Sequence, residues 1–156
     1  TGVQTCALPI SNGFRASLVA NQFTNQDRWT ATHGGGAFHN GAAIRPSGCE
    51  RLSDAVVGIS GVPKKHPGWA QFRALGAAAL DICLVAQGTL DAWVDMATHG
   101  AWDYMASVHV CIEAGAFVGD LAGRDLIVTQ HGERRSPVIA GTRTLFEQVS
   151  RIRELA

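Results

Sequence analysis

Short apolar runs broken by turn residues dominate the first third of the chain, and helical periods appear only later. Residues 14–23 and 29–32 are β-prone runs on either side of Thr24-Asn25-Gln26-Asp27, a turn cluster. Gly34-Gly35-Gly36-Ala37-Phe38 follows, then Asn40-Gly41, a dipeptide suited to a tight hairpin because both positions accept positive φ. Residues 46–54 are polar, 55–60 form a short apolar run fit for a buried strand, and 63–67 form a basic loop bounded by prolines. From 69 to 87 the spacing turns helical, with Leu75, Ala79, Ile82 and Ala86 on one face and Gly88 placed to stop it. Leu80, Cys83 and Leu84 make the other faces apolar too, which predicts a helix buried between layers.

Residues 90–94 read as a strand and 102–114 as a helix closed by Gly115. Residues 117–118, 126–128 and 137–140 are further short strands. A final amphipathic helix places Leu145, Val149 and Ile152 on one face, and Thr144 with Glu147 has the capping-box spacing. Strands cluster first and then alternate with helices. That order predicts an α/β fold in which an antiparallel sheet runs into a layer of strands and helices.

Composition narrows the function classes. The 156 residues fit one domain, or a domain with the tail of another, and 46% hydrophobic content is enough for a core. Thirteen basic residues balance thirteen acidic ones, so charge gives no reason to expect nucleic acid or an anionic membrane as partner. No apolar run approaches the roughly 18–20 residues needed to span a bilayer, and a soluble protein is expected. Thr1 to Ile10 resembles the translation of a sequencing-library adapter and is read as a non-native scar left out of the fold reasoning, with the reading frame starting inside a gene. Without Cys6, three widely spaced cysteines remain (Cys49, Cys83 and Cys111) and no C-x-x-C pair, which points to free thiols and a cytoplasmic setting. Cys83 and Cys111 lie in apolar helical stretches and are expected to be buried.

The sharpest chemical pattern is Trp102-Asp103-Tyr104-Met105-Ala106-Ser107, then Glu113-Ala114-Gly115-Ala116 and Asp120. On local chemistry Asp103 is first a helix cap, favoured by the positive end of the dipole, and second a metal ligand. The wider pattern resembles the C-terminal signature of the inositol monophosphatase family, W-D-x-A-A-G followed by E-A-G-G and an aspartate; Met105, Ser107 and Ala116 depart from it. Residues 34–41 resemble that family's G-x-G-A-F-x-N-G hairpin, and 73–88 its buried helix. The likeness runs over about residues 14–155.

The resemblance implies the C-terminal half of a layered α-β-α-β-α sandwich. Residues 11–54 would end the antiparallel sheet region, and 55–156 would form the C-terminal α/β part. It also implies a phosphatase using Mg²⁺, with Asp103 as a metal ligand; hard Mg²⁺ takes oxygen ligands, and phosphoryl transfer needs charge neutralised at the attacking and leaving oxygens. Gly76, Ala77 and Ala78 would bring backbone groups to the substrate's hydroxyls, and Asp95 matches a substrate-contacting position that is often glutamate, with one extra residue before Asp103. The substrate would be a small phosphorylated polyol, inositol monophosphate first and histidinol phosphate next, and the whole protein a possible homodimer.

The family's upstream acidic segment and D-P-x-D-G-T motif, which supply most metal ligands, are absent from these residues, so the chain alone is expected to be inactive. A binding domain that kept the scaffold without the metal site is the alternative. His99 reads as an ordinary loop residue, His33 and His39 as surface residues, Glu113 as structural, and Lys64, Lys65 and His66 as a solvated basic loop. Neither a G-x-S-x-G elbow nor an H-E-x-x-H helix is present.

Overall fold

The computed structural model describes residues 3–10, 13–22 and 27–152. Its first sheet is an antiparallel meander in chain order: β1 (Val3–Ile10), β2 (Gly13–Asn21), β3 (Arg28–Thr32), β4 (Gly36–His39) and β5 (Ala42–Ala43). In β3, Trp29 and Ala31 are buried while Arg28, Thr30 and Thr32 are exposed, the period-two pattern of a sheet covered on one face. The hairpin expected at Asn40-Gly41 is present, with φ of 51° and 83°. Residues 34–35 turn β3 into β4, and the cluster at 24–26 lies outside the described residues.

Residues 3–10, read from the sequence as an adapter scar, form a strand of the first sheet. β1 pairs along its length with β2, Val3 and Ala7 pack on the core, and Thr5 Oγ1 donates to the Trp102 carbonyl at 2.9 Å. An alternating segment next to an open strand edge satisfies the ladder and buries one side-chain face, whatever its origin.

The rest of the chain builds β6 (Val56–Ser60), β7 (Gln71–Arg73), α1 (Ala78–Ala86), β8 (Ala92–Asp95), β9 (His99–Gly100), α2 (Ala101–Ala114), β10 (Phe117–Asp120), β11 (Arg134–Arg135), β12 (Pro137–Ala140) and α3 (Arg143–Ser150). The second sheet has the order β10-β12-β8-β6-β7; β6 runs parallel to β7 and β8, and β12 antiparallel to β8 and β10. Every residue of β8 and β12 is buried because helices cover both faces. Trp93 and Ile139 join the core formed with α1 and α2, whereas Ala92, Val94, Val138 and Ala140 pack with Leu145, Val149 and Ile152. The layers are therefore the first sheet, the α1–α2 pair, the second sheet and α3. This is the expected α/β architecture.

Three expectations need correction. The helix read over 69–87 starts only at Ala78: Gln71–Arg73 pairs with β6, Gly76 has φ of +83°, and Leu75 is exposed. Residues 126–128 are not a strand; Leu126 and Val128 are buried, and the Leu126 carbonyl accepts from the Tyr104 hydroxyl at 2.8 Å. The last helix is capped by Thr142 rather than Thr144, its Oγ1 accepting from Leu145 N at 3.2 Å and donating to the Cys49 carbonyl at 2.7 Å. By contrast, the helix stops at Gly88 and Gly115 fall where expected, and Cys83 and Cys111 are free and fully buried. His39 is partly exposed, with its ring stacked on Trp29 at 4.6 Å and its Nε2 3.1 Å from Asp27.

Candidate active site

The candidate site forms where the second sheet hands the chain to α2. Gly100 leads into that helix, and no larger residue fits there, since a Cβ would lie 2.5 Å from the Trp102 ring. Asp103 is the third helical residue, and its Oδ2 accepts from Gly100 N at 3.3 Å. The capping role is real but the bond is long. Asp103 Oδ1 has no protein partner among the described residues, and the side chain is half-buried at the positive end of the helix dipole.

Asp95, at the end of β8, is wholly buried. Its Oδ1 accepts from Ala97 N at 2.9 Å, and its Oδ2 lies 2.6 Å from His99 Nδ1. His99 is therefore no ordinary loop histidine; it sits in β9, opposite Arg135 of β11, with 21% of its side chain exposed. The hydrogen bond to Asp95 raises its pKa against the opposing effect of burial, and the charges of Asp95 and Asp103 add to the rise.

Gly76, Ala77 and Ala78 occupy the entry to α1: Gly76 is exposed, Ala77 is the N-cap and Ala78 opens the helix. In the same first turn, Asp81 is buried, and its Oδ1 and the Trp93 indole N–H both lack a well-formed hydrogen bond. Burial pushes the Asp81 carboxyl up to about 6, with the Trp93 indole and the Leu75 backbone acting in the opposite direction. Asp95, His99 and Asp103 thus lie along one short stretch from β8 to α2, while Gly76, Ala77 and Ala78 lead a different helix that packs on β8.

Sequence reasoning missed the loop of residues 121–136 beside this stretch. Asp120 anchors it: burial acts to raise that carboxyl, but two Arg124 contacts at 2.8 and 3.0 Å and the backbone N–H groups of Ser136, Arg124 and Ala122 hold it below the ordinary range. The loop delivers β11 to β9, stacks His131 on Trp102 at 4.5 Å, and sets the Arg134 guanidinium 4.8 Å from the same ring. The dipeptide Arg134-Arg135 was the only signal in the sequence, and nothing in its spacing ties it to Trp102.

The other end of α2 carries similar residue types. His109 Nδ1 lies 3.1 Å from Ser17 Oγ and its Nε2 lies 3.6 Å from Glu113, while Glu113 also accepts from Gly36 N at 3.2 Å and lies 3.7 Å from His33. Burial lowers the His109 pKa, opposed by the Glu113 charge. Serine, histidine and glutamate in that order suggest a nucleophile, yet Ser17 and His109 are buried between helix and sheet, out of reach of substrate. Glu113 ties α2 to the β3–β4 turn. Lys64, Lys65 and His66 lie in an exposed loop.

The layered α/β fold thus sets the Asp103 carboxylate at a helix N-terminus a few residues after the hydrogen-bonded Asp95–His99 pair. The chain belongs to the inositol monophosphatase family, whose sequence profile matches residues 7–154. It is 32% identical over 145 residues to an inositol-1-monophosphatase of Mesorhizobium japonicum, covering 81% of this chain and 54% of that protein. It is 33% identical over 132 residues to the Nus factor SuhB of Escherichia coli, covering 75% of this chain and 48% of SuhB. A solved Pyrococcus horikoshii protein with similarities to inositol-1 monophosphatase superposes with a TM-score of 0.82 at 24% identity, over 96% of this chain and 61% of that one. The chain spans about half the length of the curated relatives it matches. Among the described residues, no helix is long and apolar enough to cross a membrane.

Proposed function

We propose that this chain supplies the C-terminal part of the active site of a magnesium-dependent phosphomonoester hydrolase. The substrate is a small phosphorylated polyol, with inositol monophosphate the first to test and histidinol phosphate the next. The observation that carries this reading is Asp103 on the first turn of α2, with one carboxylate oxygen free of protein partners. Family membership supplies the reaction class.

Asp103 suits one position around a hard cation that takes oxygen ligands. Asp95 suits it less, because it is wholly buried and each oxygen already has a hydrogen-bond partner within the protein. Among the described residues, no three His, Cys, Asp or Glu side chains converge to hold a metal. In this reading the remaining ligands lie outside the described residues, and no turnover is expected from the 156 residues alone. When bound, such a cation neutralises phosphoryl charge and generates the nucleophile. In the same proposal, Gly76, Ala77 and Ala78 offer backbone groups to the substrate at the start of α1, and the whole protein is a cytoplasmic homodimer.

A protein extended upstream to the length of the relatives should release phosphate from inositol monophosphate only with Mg²⁺, and Asp103→Asn should abolish most of that release. Equal rates with and without Asp103 would sink the reading. A non-catalytic binding role is the second reading, favoured by the likeness to the Nus factor SuhB. It requires that no Mg²⁺-dependent release be seen from the extended protein on any polyol phosphate.

A further inference from the structure

Asp95 was expected to contact substrate, and its geometry argues against that. Its carboxylate has no solvent exposure, one oxygen accepts from the backbone two residues on, and the other is 2.6 Å from His99 Nδ1. With no solvent-accessible surface, the Asp95 carboxylate offers no face for a substrate hydroxyl to approach. His99 is the exposed member of the pair. Its Nε2 has no hydrogen-bond partner among the described residues and is not a buried orphan.

We propose that His99, held in place by Asp95, is the side chain this site presents to a hydroxyl group of the substrate, and that Asp95 is its positioning residue. The proposal rests on the phosphatase reading above and reassigns one contact within it. A hydroxyl both donates and accepts, so it matches Nε2 in either protonation state of the ring; a phosphoryl oxygen only accepts and matches it in one. The chemistry at Nε2 therefore suits a polyol hydroxyl whichever protonation state the ring holds. The fold fixes the ring from three sides. Asp95 holds Nδ1, the β9–β11 ladder holds the backbone opposite Arg135, and the Trp93 ring lies 5.9 Å away, tilted by 60°. The extra residue between Asp95 and Asp103 falls in this segment.

Imidazole nitrogen and Asp95 carboxyl-carbon NMR tests this, on the labelled 156-residue chain without ligand and then on the labelled protein extended upstream to the length of the relatives, with inositol 1-phosphate and Mg²⁺. The expected result is a protonated, exchange-protected Nδ1 on His99 in the free chain. Its exchange should become roughly tenfold faster or more in Asp95→Asn, because an amide oxygen is a weaker acceptor than a carboxylate. On adding ligand, the His99 Nε2 signal should move while the Asp95 carboxyl carbon stays. His99→Gln in the upstream-extended protein should keep the fold and weaken inositol 1-phosphate binding severalfold in a titration; unchanged affinity would overturn the contact. A freely exchanging Nδ1 in the free chain would overturn the pairing. A ligand response at Asp95 rather than His99, or at neither, would overturn the assignment to substrate. The phosphatase reading is judged separately, by phosphate release from the extended protein, so its failure and the failure of this inference are distinguishable.

Discussion

The two ends of α2 carry the same kinds of side chain and do opposite things. At the C-terminal end, His109 and Glu113 are pressed against the first sheet, and their bonds go to Ser17, Gly36 and His33. At the N-terminal end, Asp103 and His99 keep an atom each free of protein partners. An acid and a histidine are therefore not a site in themselves. What separates a structural tie from a chemical group is whether the last polar atom meets protein or solvent.

The comparison breaks most easily at the closed end. Glu113→Ala strips a partner from the Gly36 N–H and from His109, and should cost about 1–3 kcal/mol in chemical denaturation, the usual range for orphaned polar groups. A cost below ~0.5 kcal/mol would mean the closed end is not closed. Asp81 tests the cost of a sealed acid on the neighbouring helix. Its carboxyl, raised to about 6 by burial, ionises more readily in the unfolded chain, so stability should fall as pH rises from about 4 to 6. Asp81→Asn should therefore stabilise the chain at pH 7, by about 2 kcal/mol, and leave it unchanged near pH 4. A thermal melt of both proteins at the two pH values decides it.

The histidines sharpen the contrast, since their pKa values move in opposite directions. His109 has a lowered pKa, so the unfolded chain takes up protons first and stability is lost as pH falls below the ordinary histidine range. His99 has a raised pKa; its contribution is complete below that range and fades as pH climbs through the folded value. Melts across pH 5 to 9 should show the acid-side loss shrink in His109→Gln and the alkaline-side loss shrink in His99→Gln. The same slope for both variants would remove the distinction between the two ends. The smallest effect belongs to His33→Ala. Its exposed imidazole lies 3.7 Å from Glu113, a distance and setting worth at most about 0.5 kcal/mol in a urea titration.

Much of the fold was legible in the sequence because alternation, turn dipeptides and helix stops act locally. β3, the Asn40-Gly41 hairpin, β12 and the ends of α1 and α2 all follow from residues close together in the chain. The start of α1 was not legible: Gln71–Arg73 is a strand only because β6 lies beside it, and Leu75 fits a helical spacing it does not occupy. β1 was set aside on its resemblance to an adapter, whereas pairing with β2 decided its structure. In the site, Asp103 stood out through its motif. The closing of Asp95 onto His99 depends on the depth of a strand end, and the stacking of His131 and Arg134 on Trp102 depends on a loop returning from beyond β10. Neither leaves a local pattern.

The central claim is that the open carboxylate of α2 works on a phosphate ester. Phosphate release from inositol monophosphate by the upstream-extended protein, with and without Mg²⁺ and in wild type and Asp103→Asn, tests it most directly. The account predicts Mg²⁺-dependent release that falls by about a hundredfold in the variant, the order expected when a metal site is disrupted, with the melting temperature little changed. Undiminished release from the variant, or none from the wild-type protein with Mg²⁺, would contradict it.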